Sequence, residues 1–379
     1  MGERVVAVSG WDVLRVVAGG REGLAALEGR ALRLDAGGRG AVVVTGVQDA
    51  LTVLDGTPEV FAPSRSRLQW HGGLLPTAGE RELLESGNQV HSFAPRLLRD
   101  VREEAGGLLA GVAGGDGVLR WGAYARAWGR IVRRVDHDVS GARGDGGAPG
   151  HSGPRQDSEP RPHDDPEEGP RHGSASRAGT GPHRAGGTRR DAPARRDSGY
   201  RVAAVAAYRA LGLLATHAPQ DTQVRNELAV TDLTEPRLLP YTRACVLESV
   251  RLWPASPFLV RRAVTEVRWN GEDLPAGTVF LVYVPLLLRA GALPFSDRFT
   301  PEIWLDGTAQ DTAGILPFGT GAGACPGEDL ALFLTSTLLA ALLERHRYLP
   351  ERPGRLRPDR PLPRTAPGRR TLRFTVLPH

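Results

Sequence analysis

The amino-acid sequence predicts a mainly α-helical fold with a smaller β region. Two observations predict this class. Several long stretches repeat apolar residues at three- and four-residue intervals, the period of a helix that packs one face on a core. The strand-like runs are few and short, and turn residues such as Gly and Pro bound them. The chain has 379 residues, which is long enough to enclose a large cofactor.

Residues 1–135 alternate short strand-like and helix-like runs. The predicted elements are a strand at 41–47, a short helix at 48–55 that stops at a glycine, and longer helices at 99–112 and 118–135. In the last of these, apolar residues recur at four-residue spacing, at Leu119, Ala123, Ala127, Ile131 and Val135. This spacing places an apolar stripe on one helix face, which indicates packing against a core.

The composition changes abruptly between residues 136 and 199. Val139 is the only aliphatic residue larger than alanine there, and Leu, Ile, Phe, Tyr and Trp are absent. Such a segment cannot bury enough apolar surface to offset its conformational entropy, so we expect it to be disordered. Two interpretations stay open: a linker or regulatory arm, and sequence translated out of frame, which resequencing of the coding DNA tests. The histidines in the segment lack ligand-like spacing, which argues against a metal site.

Periodic sequence resumes at Tyr200. Helices are predicted at 202–217, 223–229, 238–252 and 329–344, and strands at 267–269, 278–284 and 373–377. The turn between the first two strands carries Asn270-Gly271, a typical turn sequence. The chain therefore divides into three parts, 1–135, 136–199 and 200–379.

Composition excludes several classes of protein. The net charge of +5 is modest and the basic residues are scattered, which argues against nucleic acid as a partner. All 48 basic residues are arginine, which is typical of very GC-rich coding DNA. Two cysteines, Cys245 and Cys325, cannot form a disulfide framework. The N-terminus lacks the pattern of a signal peptide. The most apolar stretch, 278–288, is too short to span a bilayer and is better interpreted as a buried strand, so we expect a cytoplasmic protein with no membrane contact.

The most informative segment is Pro317-Phe-Gly-Thr-Gly-Ala-Gly-Ala-Cys-Pro-Gly327. A thiolate at Cys325, just before a predicted helix, gains from the helix dipole and from backbone N–H groups that point at the sulfur. Gly319, Gly321 and Gly323 remove side chains, so the backbone can pass close to something large and flat, and Gly327 lets the first helical turn approach as closely.

This string is similar to the haem-binding loop of the cytochrome P-450 family, Phe-Gly-x-Gly-x-x-x-Cys-x-Gly, at Phe318, Gly319, Gly321, Cys325 and Gly327. The resemblance, to a soluble bacterial type, implies that Cys325 is the axial ligand of the iron of haem b and that Phe318 packs beside the sulfur. The alternatives are a buried inert cysteine and a nucleophilic one, although no nearby motif supplies a histidine base.

A second segment also resembles the family. Glu248-Ser-Val-Arg251 is similar to its Glu-x-x-Arg pair, and Phe295-Ser-Asp-Arg-Phe299 resembles the loop that supplies a second arginine, here Arg298. The resemblance implies a buried triad of Glu248, Arg251 and Arg298 that fixes the loop beneath the haem. In isolation, Glu248 and Arg251 would be a solvated helical ion pair.

Further residues match the family's contacts to the haem propionates. Arg261 and Arg262 lie in a region similar to its sheet, where one arginine reaches a propionate, and the choice between them stays open. His91 and Arg96 lie where the family often places other propionate-binding groups, although a surface role fits them equally. The family usually has Arg or His two residues before the cysteine, where this chain has Gly323, so one partner is missing.

The resemblance implies a haem-thiolate monooxygenase that inserts one oxygen atom from O2 into a small organic substrate. Electrons would come from a ferredoxin and an NAD(P)H-dependent reductase, and we expect a monomer. The GC-rich coding is the sole basis for expecting a role in secondary metabolism. No catalytic acid–alcohol pair is identifiable, and Thr216 comes too late in its helix. The competing hypotheses are a non-catalytic or poorly folding family member that lacks the oxygen-activation helix, and a haem-binding sensor without turnover.

Overall fold

The computed structural model describes the backbone of residues 6–8, 32–36, 39–63, 90–141 and 192–379, and the side chains of 41–63, 94–135 and 200–379. Within these ranges the chain is mainly helical, with one larger and two smaller sheets. None of the described helices combines the length and the apolar character needed to traverse a lipid bilayer.

The helices are α1 (Val47–Asp55), α2 (Val90–Ala113), α3 (Trp121–Gly141), α4 (Ala192–Leu214), α5 (Ala218–Val230), α6 (Pro240–Leu252), α7 (Val284–Leu288), α8 (Thr308–Asp311) and α9 (Glu328–Leu343). Helices α2, α3, α4, α6 and α9 pack around one apolar core. At its centre the ring of Tyr208 lies 4.8 Å from that of Tyr124 and 5.4 Å from that of Phe374. Burial of such aromatic and aliphatic side chains is the main force that holds these helices together.

The strands are β1 (Val6–Val8), β2 (Leu32–Ala36), β3 (Arg39–Val44), β4 (Phe61–Pro63), β5 (Val118–Arg120), β6 (Phe258–Ala263), β7 (Val267–Trp269), β8 (Glu272–Leu274), β9 (Val279–Tyr283), β10 (His346–Pro350) and β11 (Arg373–Pro378). The largest sheet has the order β1-β2-β3-β9-β6-β4, in which β3 and β9 are parallel and β6 is antiparallel to β9. Its apolar face packs with α1 around Phe280, which is fully buried.

Most predicted elements of the C-terminal part are present within one to several residues of their expected bounds. Three predictions in the described chain were wrong. The turn predicted between the strands at 267–269 and 278–284 contains β8, which pairs with β7. Residues 118–120 form β5 rather than the first turn of a helix, because they pair with β11. The apolar run at 278–288 is a strand only to Tyr283 and then turns into α7, a difference that apolar character alone could not reveal.

The prediction of disorder for 136–199 was wrong at both ends of that segment. Helix α3 continues to Gly141 and α4 begins at Ala192, because a helix whose packed turns have already formed adds further residues without a second nucleation step. Residues 142–191, with the remainder of that prediction, lie outside the described residues.

Helix α6 is fixed at its N-terminus by a residue of α5. The Glu227 carboxylate accepts hydrogen bonds from the backbone N–H of Tyr241 (2.6 Å) and of Thr242 (2.9 Å), and from the Thr242 hydroxyl (2.7 Å). The first N–H groups of a helix have no partner within the helix, so a carboxylate from a neighbouring helix satisfies them and complements the helix dipole. This contact positions α6, which carries the Glu248–Arg251 pair.

Candidate functional site

The Gly-rich loop folds into a compact turn directly before α9. Residues Gly321–Gly323 form one turn of 3-10 helix, and the Cys325 N–H donates to the Phe318 carbonyl at 2.8 Å. The Ala331 N–H of α9 donates to the Gly327 carbonyl at 2.9 Å, so Gly327 begins the helix. These backbone bonds hold Cys325 at a defined place ahead of the α9 N-terminus.

The glycines of this loop are required by neighbouring protein atoms. A Cβ at Gly321, where φ is +62°, would lie within van der Waals overlap of the Leu54 carbonyl oxygen. A Cβ at Gly323 would overlap the Arg261 guanidinium in the same way. Gly319 has φ of +74°, which side-chain-bearing residues rarely adopt. The groups that approach positions 321 and 323 closely are a backbone carbonyl and a guanidinium, whereas the sequence predicted a large flat group.

The two cysteines lie in opposite environments. Cys325 is exposed, whereas Cys245 is fully buried inside α6. Burial raises the pKa of the Cys245 thiol well above its ordinary value, and nearby carboxylates add to the effect. A thiol with a raised pKa is a poor nucleophile and a poor metal ligand, so the accessible sulfur chemistry of the described chain belongs to Cys325. Phe318 is half-buried and packs on the helical core.

Strand β6 directs one of its two arginines at the loop. Arg261 is 1% exposed and donates from Nη2 to the Thr320 carbonyl at 3.2 Å, and the same guanidinium lies against Gly323. Neighbouring strand residues point to opposite sheet faces, so Arg262 points away and is half-buried. The structure thus brings Arg261, and not Arg262, to the cysteine loop, in the space that a side chain at position 323 would fill.

The predicted propionate contacts on the N-terminal side are only partly described. His91 and Arg96 both lie on α2, and the Arg96 side chain is exposed. The side chain of His91 lies outside the described residues. Helix α2 packs against α9, which follows the cysteine loop, so the two helices are neighbours.

The Glu248–Arg251 pair is fully buried. Arg251 Nη2 and Nε each lie 2.7 Å from an oxygen of Glu248, in a bidentate arrangement, and both side chains are 0% exposed. Arg251 also donates to four backbone carbonyls between α7 and the 3-10 turn Pro301–Trp304, those of Leu288, Phe295, Ser296 and Arg298. A buried ion pair is tolerated because further hydrogen bonds satisfy its remaining donors.

The role expected of Arg298 was wrong. Its side chain is exposed, and its contact with the pair is made by its carbonyl, which accepts from Arg251 Nη2 at 2.9 Å. Glu248 instead accepts from the Trp304 indole N–H at 3.0 Å and from the Thr300 backbone N–H at 2.9 Å. The third member of the arrangement is therefore a neutral donor. Sequence spacing could not show this, since an indole donates one hydrogen bond without carrying charge.

Sequence reasoning missed a second buried ion pair. Arg289 is 1% exposed and lies 2.7 Å from Asp297, and it also donates to carbonyls at the end of α6 and in the C-terminal segment, those of Leu252, Leu362 and Pro363. Burial lowers the pKa of Arg289 to about 10, and Asp297 opposes this effect. Its sequence signal was a single charge directly after the apolar run that forms α7. The hydrogen bonds of Arg289 therefore connect the C-terminal segment to the segment whose carbonyls accept from Arg251.

The end of α4 carries no acid–alcohol pair among its described residues. Between Tyr200 and Leu214 there is no Asp, Glu, Ser or Thr. Just beyond the helix, the Thr216 hydroxyl donates to the carbonyls of Gly212 (3.1 Å) and Leu213 (3.0 Å), so it serves as a local cap. Within the described ranges, no cluster of three or more His, Cys, Asp or Glu side chains could hold a metal ion.

Comparisons with known proteins agree with the resemblance of the cysteine loop to a haem-binding loop. Residues 206–368 match the family model for Cytochrome P450. The chain is 37% identical over 115 residues to a cyclooctat-9-en-7-ol 5-monooxygenase of Streptomyces melanosporofaciens, over 30% of this chain and 25% of that protein. It is 36% identical over 130 residues to a methyltetrahydroprotoberberine 14-monooxygenase of Papaver somniferum, over 32% of this chain and 24% of that protein. The chain thus matches these curated relatives over about a quarter of their length.

Solved structures share the fold. A zebrafish cytochrome P450 solved with progesterone aligns with a TM-score of 0.62 at 16% identity, covering 97% of this chain and 99% of that one. A cyanobacterial cytochrome P450 with bound retinoic acid gives 0.60 at 16% identity, covering 93% and 92%. Haem b is the cofactor of this family. Residues 206–368 thus resemble the cytochrome P450 family in sequence, and the chain shares the fold of solved cytochrome P450 structures.

Proposed function

We propose that this chain is a haem-thiolate monooxygenase in which Cys325 is the axial ligand. The observation that carries the proposal is the exposed thiol, held by backbone hydrogen bonds ahead of α9 with a buried guanidinium against the same loop. One sulfur ligand and one carboxylate-binding cation are the donor set that an iron porphyrin with propionate arms requires. The residues present therefore fit haem b.

Each residue of the site has a distinct part in this proposal. Cys325 supplies the thiolate, and Phe318 packs beside the sulfur. Arg261 pairs with a propionate, because it is the arginine of β6 that faces the loop. When bound, the haem supplies oxygen activation, which a thiolate ligand favours by donating electron density.

The buried pairs act as supports for this site. Glu248 and Arg251 hold the carbonyls between α7 and Trp304 in place. Residues 1–135 and 200–379 together form the haem-thiolate domain, and 136–199 lies between its two parts. His91 and Arg96 on α2 are further candidates for propionate contacts.

The substrate class follows from the family rather than from a described pocket. We propose a small organic molecule oxidised with O2, with electrons from a soluble ferredoxin and its NAD(P)H-dependent reductase. The named relatives act on cyclooctat-9-en-7-ol and on a methyltetrahydroprotoberberine, and a role in secondary metabolism is consistent with them. We further propose a monomer in the cytoplasm.

A second candidate function is a family member that binds haem without turnover. The absence of an acid–alcohol pair between Tyr200 and Leu214 favours it, because proton delivery to bound oxygen needs positioned proton donors. Thr216 does not substitute, since its hydroxyl is engaged at the end of α4.

The test is the carbon monoxide difference spectrum of the reduced protein, recorded for the wild type, Cys325→Ala and Cys245→Ala. We expect a thiolate-type Soret band in the wild type and in Cys245→Ala, and its loss in Cys325→Ala. Cys245→Ala is the matched control, because it removes a sulfur atom that is buried in α6 and lies outside the cysteine loop. A thiolate band that persists in Cys325→Ala, or no haem in any variant, contradicts the proposal. A thiolate band without substrate-dependent NAD(P)H consumption supports the second candidate.

A further inference from the structure

The cysteine loop has few side chains with which to hold its own shape. Between Phe318 and Cys325 the chain runs Gly-Thr-Gly-Ala-Gly-Ala, so Thr320 carries the only polar side chain of that interval. Glycine loses more backbone freedom on folding than any other residue. A loop of this composition therefore depends on contacts with other segments to keep its cysteine in one place.

Thr320 is held from two directions. Its hydroxyl donates to Asp55 Oδ1, at the C-terminal end of α1, at 2.8 Å. Its carbonyl accepts from Arg261 Nη2 of β6 at 3.2 Å. The next residue, Gly321, lies so near the Leu54 carbonyl oxygen that a Cβ there would overlap it. The end of α1 therefore contacts the loop through both a side chain and its backbone.

The end of α1 is a fixed point. Val53 and Leu54 are 0% and 1% exposed, and they pack in the apolar cluster around Phe280 that joins α1 to the larger sheet. Asp55 follows them directly, so its backbone is fixed although its carboxylate is exposed. A side chain with a fixed backbone can hold a partner without ordering a new segment of chain.

Thr320 is linked to the cysteine through the backbone of the loop. The Ala324 N–H donates to the Gly321 carbonyl at 3.0 Å, and the Cys325 N–H donates to the Phe318 carbonyl at 2.8 Å. Thr320 lies between these two acceptors in the chain. A rotation of its backbone would therefore displace both carbonyls and, with them, the residue that carries the sulfur.

We propose that the hydrogen bond between Asp55 and Thr320, which we name the Asp55–Thr320 contact, positions the Cys325 thiolate. Asp55 is a positioning residue, because it acts through Thr320 and not on the sulfur itself. The inference rests on the proposed function, since the thiolate is positioned for haem iron. It assigns a part in the site to α1, a helix that contributes neither the sulfur nor the arginine.

The first test measures amide hydrogen exchange of Cys325 in the full-length protein as purified. Thr320→Val removes the hydroxyl and keeps the shape, and its extended backbone, with φ of −148°, suits valine. Asp55→Ala removes the acceptor. We expect exchange about fivefold faster in each variant, because opening of the loop no longer breaks this hydrogen bond. Unchanged exchange in both variants overturns the proposal.

Rescue and control variants separate the hydrogen bond from a general loss of stability. Asp55→Asn and Thr320→Ser keep an acceptor and a hydroxyl, so exchange should stay within about twofold of the wild type. Thr52→Val is the control, since the exposed Thr52 hydroxyl of α1 donates within its own helix, to the Gln48 carbonyl at 3.0 Å. Equal acceleration in Thr52→Val, or no rescue in either conservative variant, overturns the proposal.

A double-mutant cycle tests whether the two side chains act together. Asp55→Ala combined with Thr320→Val should exchange no faster than either single variant, because both remove the same hydrogen bond. Multiplied accelerations would show two independent effects and overturn the proposal. This readout needs no turnover, so it is independent of enzymatic activity.

A spectroscopic arm connects the contact to the thiolate. The thiolate-type Soret band of the reduced carbon monoxide complex is followed over time in the wild type, Thr320→Val and Thr320→Ser. We expect its decay to be about fivefold faster in Thr320→Val only, the same factor as for opening of the loop. Equal decay in all three overturns the inference. A wild type without a thiolate band contradicts the proposed function instead, and the exchange data then decide whether Asp55 holds the loop.

Discussion

Replacing Gly323 by alanine tests the contact between the cysteine loop and strand β6. The backbone at Gly323 is outside the left-handed region, so alanine meets no conformational penalty there. Its methyl group would nevertheless overlap the Arg261 guanidinium, which lies closer than any real Cβ contact. The effect of Gly323→Ala therefore reports this one contact.

The magnitude follows from what Arg261 must give up. The guanidinium has to retreat by roughly 1 Å to reach ordinary van der Waals separation. Arg261 is 1% exposed, so it has little room, and the retreat breaks its 3.2 Å bond to the Thr320 carbonyl. Loss of a hydrogen bond to a charged group costs about 1.5–3 kcal/mol, and overpacking costs about 1–3 kcal/mol. We expect Gly323→Ala to lower the free energy of unfolding by about 2 kcal/mol.

The assay is a double-mutant cycle in urea. Gly323→Ala, Arg261→Ala and the double variant are unfolded, and the free energies are compared where the m-values agree. With the guanidinium gone, the three atoms nearest to the added methyl group are removed, so Gly323→Ala should cost less than about 0.5 kcal/mol in the Arg261→Ala background. The expected coupling is about 1.5 kcal/mol.

Additive effects would refute this reasoning, since independent sites add within about 0.5 kcal/mol. Gly106→Ala is the control. Gly106 lies exposed within α2 and a Cβ there meets no atom within 4 Å, so alanine should stabilise the helix by about 0.5–1 kcal/mol. Opposite signs at positions 106 and 323 would show that the cost at 323 comes from the neighbouring guanidinium and not from alanine itself.

Three further predictions concern stability and reactivity. Glu248→Gln should lower the free energy of unfolding by about 3–5 kcal/mol, since it leaves the charge of its buried partner Arg251 uncompensated. Arg298→Ala should change it by less than about 0.5 kcal/mol. Similar losses for the two variants in urea unfolding would contradict both assignments. A thiol reagent should modify exposed Cys325 in the folded protein and buried Cys245 only on unfolding, as mass spectrometry of the labelled peptides shows. Burial lowers the pKa of His217, so the unfolded state takes up a proton first as pH falls below about 6.5, and stability drops. His217→Gln should make this drop in urea-unfolding free energy shallower, and an unchanged slope would rule out this histidine as a cause.

Local patterns predicted much of the C-terminal half. The helix that becomes α9 and the strands β7 and β9 were readable because their apolar periods and turn residues act within a few positions, whereas β8 lies in residues predicted as a turn. The loop glycines were also readable as points of close approach. What approaches them was not, because the Leu54 carbonyl and the Arg261 guanidinium come from distant parts of the chain.

The partners of buried charges were the least predictable part of the site. Spacing correctly placed Glu248 and Arg251 on one helix face, since three residues is nearly one turn. It could not choose between Arg298 and Trp304, because both lie in an irregular segment with no period to fix the direction of a side chain. Arg289 was missed for the same reason, since its partner Asp297 is brought near only by the turn after α7.

The sequence by itself determined the resemblance to the cytochrome P450 family, the cysteine loop and the helical character of this protein. These features depend on short strings whose chemistry is local: a thiol before a helix, glycines in a turn, apolar residues at helical spacing. Only the tertiary structure decided that Arg261 rather than Arg262 faces the loop and that Trp304 completes the buried pair. Those outcomes depend on strand register and on contacts between segments far apart in the chain, and a one-residue change of register would reverse the first of them.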